Sequence, residues 1–293
     1  MKSQWECVLE NLGEWVGSFT TVTPHGELIE DIPSIIKLVG SRDNQTVQLV
    51  LNRFYPLPNS TERYAKEVVW NFSTPPGIGA VYFETGAFSS GPLAVSIGVK
   101  TIAEFCLIAG DRRWRMIQTF DMSQQLDRLT FVREQRQATT APERPHLEIA
   151  DLLGTWHGLA TTLFADGRST VTIDTQSTFT VRDCGYQLVE SDHSIDLTID
   201  HTIADAKLLR PIDRHLAQQL LLLPDGGYAI TPTKIELGQA FKLEIGWLHQ
   251  AGHRQRLVRQ YDSTGKWESA TLAIEQCFRT ITYQRCPSST NYR

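Results

Sequence analysis

The sequence lacks the signatures by which many enzymes and metal sites are recognised. It contains no H-E-x-x-H motif, no Walker-type glycine loop and no G-x-S-x-G turn. His249 and His253 have the spacing of a helical metal pair, but they lie across a predicted hairpin turn and have no evident third ligand. We therefore predict no metal and no bound cofactor.

Paired cysteines are also missing. The five cysteines are an odd number, share no Cys-x-x-Cys spacing and are not arranged as a zinc site. We interpret them as reduced and mostly structural; they are Cys7, Cys106, Cys184, Cys277 and Cys286.

The sequence has no large excess of positive or negative charge and no long apolar run. The formal net charge is -5, with acids and bases interspersed, so no basic stripe points to a nucleic-acid partner. No apolar run approaches the roughly 18 residues of a membrane span. The N-terminal segment carries acids and a tryptophan where a signal peptide would need an apolar core. These features predict a soluble, cytoplasmic protein, and they do not specify a protein partner.

What the sequence does contain is an internal duplication. Residues 12–26 recur at 153–167, and both copies read L-G-x-W-x-G-x-x-T-T-x-x-x-x-G. A second block, 115–121, returns at 256–262 with the same offset. Two blocks at one offset indicate that a single unit was duplicated. We predict two domains, at 1–137 and 146–293, each long enough to bury its own core.

Each unit is predicted to begin with a short amphipathic helix and to continue as hairpins. Ser3 and Glu6 have the spacing of a capping box, and Pro145 stands where the second helix would begin. After each helix the hydrophobic period becomes two, and turn signals such as Asp225-Gly226-Gly227 separate the segments. About eight short strands per half predict an all-β fold of two tandem antiparallel up-and-down barrels.

The duplicated motif resembles that of the calycin superfamily, which includes lipocalins and fatty-acid-binding proteins. The order L-G-x-W-x-G and then R-[ML]-[IV]-x-x-[FY]-D is similar, over nearly the whole chain, to a cyanobacterial and plastid group known as DUF3598. A more distant resemblance is to the S-type phycobiliprotein lyases, which hold a bilin in a single such barrel. The resemblance implies two lipocalin-like barrels. It also implies structural roles for the shared motif residues Gly13, Trp15, Gly154 and Trp156, with the tryptophans at the barrel floor.

In calycins an arginine from a terminal strand often covers the floor tryptophan. The resemblance therefore implies a covering arginine in each half of this chain. The candidates are Arg136 and Arg279 near the last strands, or Arg115 and Arg256 in the second repeated block. The sequence does not choose between the two pairs.

The second repeated block also supplies candidate ligand contacts. Alternation places Trp114 and Gln118 on one mainly apolar face, which we interpret as an inner barrel wall. The duplicate face carries Arg259 and Tyr261, so Gln118 and Arg259 occupy equivalent positions. Because a buried polar group needs a partner, Arg259 is predicted to contact a carboxylate or other anion of a ligand. The alternatives are a carboxylate of its own barrel or a register slipped by one residue.

Aromatic residues cluster in the first half and are predicted to line one apolar cavity, with a filled core as the alternative. They are Trp70, Phe72, Tyr82, Phe83, Phe88 and Trp114, of which Trp70, Tyr82 and Trp114 are candidate ligand contacts. In the second half, the run 220–223 is apolar on both faces. We predict that this strand is covered on its outer side as well, by the other barrel.

Three functions follow from these patterns. The first is binding of a bulky apolar small molecule, such as a tetrapyrrole, carotenoid or fatty acid. The second is a cofactor-independent lyase, isomerase, hydratase or cyclase acting on such a molecule, by analogy of fold. The third is a non-catalytic assembly scaffold. The sequence leaves all three open.

Overall fold

The computed structural model describes residues 2–182, 185–189, 194–203, 206–211, 218–278 and 283–284. Cys184, Arg279 and Cys286 lie outside these ranges. The first half contains α1 (Gln4–Leu9), β1 (Gly13–Val22), β2 (Leu28–Gly40), β3 (Thr46–Pro56), β4 (Arg63–Ser73), β5 (Ala80–Tyr82), β6 (Phe88–Ser90), β7 (Thr101–Ala109), β8 (Arg112–Phe120) and β9 (Leu126–Arg136).

The second half repeats this plan with more strands. It contains α2 (Ile149–Leu152), β10 (Gly154–Phe164), β11 (Val171–Arg182), β12 (Gly185–Val189), β13 (Ser194–Ile203), β14 (Ala206–Pro211), β15 (Gln218–Leu222), β16 (Gly227–Pro232), β17 (Phe241–Gln250), β18 (His253–Tyr261), β19 (Trp267–Phe278) and β20 (Tyr283–Gln284). The predicted all-β tandem is thus confirmed. Neither described helix has the length and apolar character needed to cross a membrane.

Local sequence signals explain where the elements begin and end. The capping box of α1 is present, since Glu6 N donates to Ser3 Oγ at 3.2 Å and Ser3 N donates to Glu6 Oε2 at 2.7 Å. The predicted turn between β15 and β16 is also confirmed. There Asp225 and Gly226 have φ of 60° and 68°, which a tight hairpin connection requires.

The two sheets differ in closure. The first has nine strands in the order β4-β3-β2-β1-β9-β8-β7-β6-β5, with β4 and β5 as its two edges. The second closes on itself, because β10 pairs with both β19 and β11. All described pairings are antiparallel except the short contact of β20 with β11. The first half is therefore a curled but open barrel, whereas the second is a closed one.

Each sheet encloses a core around its motif tryptophan. In the first, Trp15 packs with Phe19, Ile36 and Leu51 from three neighbouring strands, beneath Val8 of α1. In the second, the core forms around Trp156 with residues of α2, β11, β15 and β16. These two cores lie on the concave faces of the sheets.

A third core joins the halves and combines the convex face of β7 to β9 with the convex face of β15 to β19. Trp114 and Met116 of β8 pack in it with Ile245 and Trp247 of β17, and all four are fully buried. The strand β15 confirms the predicted two-sided burial. Leu220 and Leu222 lie inside the second barrel, whereas Leu221 and Leu223 contribute to this shared core.

Close approach and backbone hydrogen bonds reinforce the junction. A Cβ at Gly227 would lie 2.2 Å from the Trp114 ring, so only glycine lets β16 approach it. Val95 N donates to Gly265 O at 2.9 Å, and Trp267 N donates to Leu93 O at 2.9 Å. The halves are therefore one packed body.

The shared core predicts a single unfolding transition for both halves. Trp114→Ala is expected to cost about 3–5 kcal/mol of unfolding free energy, because it opens a large cavity in that core. Trp70→Ala, a change of the same residue at an exposed position on β4, is expected to cost about 1 kcal/mol or less. Guanidinium chloride titration followed by far-ultraviolet circular dichroism measures both. Two separated transitions, or equal costs for the two variants, would contradict the shared core.

Candidate functional site

The motif tryptophans lie at the closed ends of the two concave cores. Trp15 and Trp156 are fully buried, and their Nε1 atoms donate to Asn11 O at 3.0 Å and Leu152 O at 2.8 Å. The preceding glycines, Gly13 and Gly154, have φ of 123° and 124°, which L side chains rarely adopt. The duplicated motif therefore directs the chain from the helix into the first strand of each sheet.

Arginines cover both tryptophans, and one of the three was predicted. The guanidinium carbons of Arg113 and Arg136 lie 4.4 and 4.3 Å from the Trp15 ring centroid. Arg254 lies 4.3 Å from the ring of Trp156. Of the predicted candidates, Arg136 does this, and Arg279 lies outside the described residues. The signal that was missed is the repeat of Arg-x-Arg, because Arg113 recurs as Arg254 at the offset of the duplication.

A buried carboxylate pairs with these arginines in the first half. Glu134 accepts from Arg113 Nε at 2.7 Å and from Arg115 Nε and Nη2 at 3.1 Å each. Arg115 Nη1 also donates to Glu104 at 2.7 Å. Burial alone would raise the pKa of Glu134, but the two guanidinium groups outweigh it and the pKa is lowered.

The second half repeats this cluster. Glu275 accepts from Arg254 Nε at 2.8 Å and from Arg256 Nε at 2.9 Å, and Arg256 Nη1 donates to Glu244 at 3.3 Å. Burial opposes ionisation of Glu275, yet its pKa is lowered by the same two arginines. Because both central carboxylates stay ionised, they suit buried ion pairs rather than a general acid.

The interior of the second barrel contains a small cavity among its described residues. The cavity beside its ion-pair cluster measures about 10 Å³ and is lined by Phe179, Leu188, Tyr228, Ile230 and Arg256, among others. That volume holds one water molecule at most. This cavity cannot hold a bulky ligand.

The concave face of the first sheet is open at its β4 edge. Trp70 pairs in register with Leu49 and Phe72 pairs with Val47, so both aromatic side chains lie on the face that carries Trp15. They are 47% and 40% exposed, since no further strand lies beyond β4. At the opposite side of this face, Tyr82 packs on Phe88 with ring centroids 5.2 Å apart.

The predicted aromatic cluster is therefore divided between two faces. Trp70, Phe72, Tyr82 and Phe88 belong to the concave face, whereas Phe83 and Trp114 belong to the shared core. One cavity lined by all of them does not form. Alternation predicted which side chains share a face, but not which of the two faces is concave.

Gln118, Arg259 and Tyr261 lie at the junction of the halves, not on an inner barrel wall as expected. Gln118 Nε2 donates to Glu244 O at 3.3 Å. Arg259 is fully buried and its Nε donates to Tyr261 Oη at 2.8 Å. The expectation failed because the convex faces of β8 and β18 are buried too, against the other half.

Arg259 is surrounded by neutral groups of both halves. Its Nη2 donates to Gly91 O and Pro92 O, each at 3.2 Å, and its guanidinium carbon lies 4.2 Å from the Trp267 ring centroid. Burial lowers the pKa of Arg259 and raises that of Tyr261. Its contacts in the structure hold the halves together, and a ligand anion at Arg259 stays a prediction.

A separate cleft lies between the halves, and the candidate residue Tyr82 is part of its lining. It measures about 340 Å³, at the lower end of the range for small-molecule pockets. Cys7 and Phe83 line it from the first half, and Thr161, Leu163 and Leu272 line it from the second. Its walls are mixed in character, with threonine hydroxyls beside apolar side chains.

Comparison with known proteins settles the family. A crystal structure of a DUF3598-family protein of unknown function from Nostoc punctiforme is 36% identical, covering 95% of this chain and 100% of that chain, with a TM-score of 0.83. The chain belongs to the DUF3598 family. The family model for the DUF3598 N-terminal domain matches residues 1–139 of this DUF3598 protein. Residues 143–278 match the model for the C-terminal domain of "Biogenesis factor required for ATP synthase 1".

Two more distant structures also match the chain. The S-type phycobiliprotein lyase CpeS from Guillardia theta is 12% identical over 45% of this chain and 91% of its own, with a TM-score of 0.29. Kievitone hydratase from Nectria haematococca is 10% identical over 96% and 93%, with a TM-score of 0.23. Similarity this low carries no functional argument. No curated protein matches the sequence.

The lowered pKa of Glu134 predicts acid sensitivity. Because its folded-state pKa lies below the ordinary value of 4.5, its ion pairs stabilise the fold above that pH, and this contribution is lost as the pH falls further. Glu134→Gln leaves two buried guanidinium groups without their carboxylate and is expected to cost about 3–5 kcal/mol at pH 7. Urea titrations between pH 3 and pH 7 should show this difference shrinking in acid.

The exposed Glu62 supplies the control for that experiment. Glu62→Gln is expected to change the unfolding free energy by about 0.5 kcal/mol or less at every pH. A cost for Glu134→Gln that does not change between pH 3 and pH 7 would rule out a stabilising ionised carboxylate at this position.

Proposed function

We propose that this DUF3598 protein binds a bulky, largely apolar small molecule on the concave face of its first sheet. The observation that carries the proposal is the asymmetry of the two barrels. The second sheet closes on itself, whereas the first is open along β4 with Trp70 and Phe72 exposed on its concave side. Tetrapyrroles, carotenoids and fatty acids are the ligand classes that suit such a surface.

The open edge gives a ligand access without opening a barrel. The exposed rings continue the apolar concave surface of Leu38, Leu49 and Val47, which belong to the same core as Trp15. Covering exposed apolar surface gains roughly 25 cal/mol per Å². A flat apolar molecule that covers these two rings removes their exposed surface from water, and this burial contributes to its affinity.

The opposite face of β4 supplies a matched control. Val69 lies between Asn71 and Glu67 on the convex side and is 44% exposed, similar to Trp70. A ligand on the concave face covers Trp70 and does not touch Val69. Substitutions one residue apart on the same strand thus distinguish the two faces.

Fluorescence titration with Nile red, an uncharged apolar dye, tests this proposal. Trp70→Ala is expected to weaken binding about tenfold or more, because it removes apolar contact area, and Val69→Ala is expected to leave Kd within about twofold. Carotenoids and fatty acids should compete with the dye. Absence of saturable binding, or equal effects of the two variants, would refute binding on the concave face.

A second candidate function is protein assembly through the other half. It is favoured by the match of residues 143–278 to the C-terminal domain of a factor named for ATP synthase biogenesis, a name that describes that factor. The second barrel also carries an apolar patch on its outer face, formed by Leu159, Ile274 and Phe278, which are 55%, 46% and 59% exposed. Leu159 and Ile274 are direct cross-strand neighbours. We propose that a protein partner binds to this patch. In this proposal the unit 1–137 binds the ligand and the unit 146–293 binds the partner.

Co-purification from the native host tests the assembly function. Leu159→Asp is expected to abolish recovery of a specific partner, because a charge in an apolar contact is left desolvated. Leu28→Asp, the same change at a 67% exposed position in the first half, should retain that partner. No specific partner with the unaltered protein, or equal loss in both variants, would contradict the proposal.

A further inference from the structure

The concave face of the first sheet carries a cation without an acidic partner. Arg53 of β3 is half-buried, and its guanidinium carbon lies 4.2 Å from the ring centroid of Phe19. Its Nε is buried without a hydrogen-bond partner in the described part of the chain, and no ion pair to Arg53 occurs there. By contrast, Arg113 and Arg115 on the same face are paired with Glu134.

A second unpartnered polar group lies directly beside Arg53. Ser34 of β2 is the cross-strand neighbour of Arg53 and is only 2% exposed. Its Oγ has no hydrogen-bond partner among the residues that the structure describes. Direct neighbours on one face have their Cβ atoms about 4.5–5.5 Å apart, so Ser34 and Arg53 project from adjacent positions on the concave face.

Two further cationic side chains lie on the same face as this pair. On β4, the register partner of Arg53 is Lys66, an exposed residue. The guanidinium carbon of Arg115 lies 5.2 Å from the centroid of the same Phe19 ring. The carboxylates of Glu134 and Glu104 on this face are both held by Arg115. Buried donors without acceptors beside unpaired cations are the arrangement that an anionic oxygen completes.

We propose that Ser34, Arg53 and Lys66 bind the carboxylate of an amphipathic ligand whose apolar part covers Trp70 and Phe72. This inference rests on the proposed function and narrows the ligand to a carboxylic acid. A planar guanidinium and a hydroxyl suit the two oxygens of a carboxylate. The ligand is elongated, because Lys66 and Trp70 are four residues apart on one strand, about 13 Å at roughly 3.3 Å per residue.

The test compares an acid with its uncharged ester on the full-length protein. Palmitic acid and methyl palmitate, each below its aggregation concentration, displace Nile red from the unaltered protein and from Arg53→Gln. The acid is expected to bind the unaltered protein about tenfold more tightly than the ester. Arg53→Gln is expected to reduce the affinity for the acid to that for the ester. It should leave the Kd of the ester within about twofold of its value in the unaltered protein.

Two further variants keep the result interpretable. Arg42→Gln removes an exposed arginine in the turn after β2 and should leave both affinities unchanged, which controls for net charge. Ser34→Ala should weaken binding of the acid by about threefold to tenfold and leave binding of the ester unchanged. Binding of the ester shows that each variant is folded. If Arg53→Gln does not fold, Arg53→Lys and Ser34→Ala are tested instead. Each is expected to weaken binding of the acid and to leave binding of the ester unchanged.

The outcomes separate this inference from the proposed function. Equal affinity for acid and ester in the unaltered protein, or an equal loss of acid binding in Arg42→Gln, overturns the carboxylate site and leaves apolar binding on the concave face intact. Failure of both compounds and of Nile red to bind overturns the proposed function itself. Selective loss of the acid in Arg53→Gln and Ser34→Ala supports the site.

Discussion

Burial of the two convex sheet faces against each other determines most of this structure. Trp114 of the first half packs on Gly227 of the second, and Arg259 of the second donates to backbone carbonyls of the first. Because β8 and β18 use their convex faces for this contact, only their concave faces remain for the barrel interiors. The same contact removes Gln118 and Tyr261 from the barrel interiors and places them at the junction of the halves.

Much of the fold was predictable because it depends on local patterns. The capping box at Ser3, the tight turn at Asp225 and the alternation of the strands each result from interactions within a few residues. The burial of residues 220–223 on both sides was also predictable, since an apolar residue on each face requires cover on each side. The tandem of two related β-sheet units follows from the duplication itself.

The orientation of the strands was not predictable in the same way. Alternation divides β8 into two sets, one with Trp114 and Gln118 and the other with Arg113 and Arg115. Polarity suggests that the first set faces the barrel interior, and the structure has the opposite arrangement. The reason is long-range: Glu134 neutralises the arginines inside the sheet, and the other half covers the apolar set outside. Neither partner is adjacent in sequence.

The two copies differ in whether the sheet closes on itself, but their closed ends are built in the same way. Both retain a buried tryptophan under an arginine and a carboxylate held by an Arg-x-Arg pair, which stabilise the closed ends. The second copy closes its sheet and exposes apolar residues on its outer surface, where a protein partner could bind. The first copy keeps an open edge, exposed aromatic rings and the unpartnered Arg53. Its concave face is therefore the surface on which we expect a small molecule to bind most tightly.

The most direct measurement is a crystal structure of the full-length protein grown with palmitic acid. Our account predicts electron density along the concave face of the first sheet, with the apolar chain on Trp70 and Phe72 and the carboxylate at Arg53. Ligand density in the second barrel or in the cleft between the halves, with the concave face empty, would contradict it.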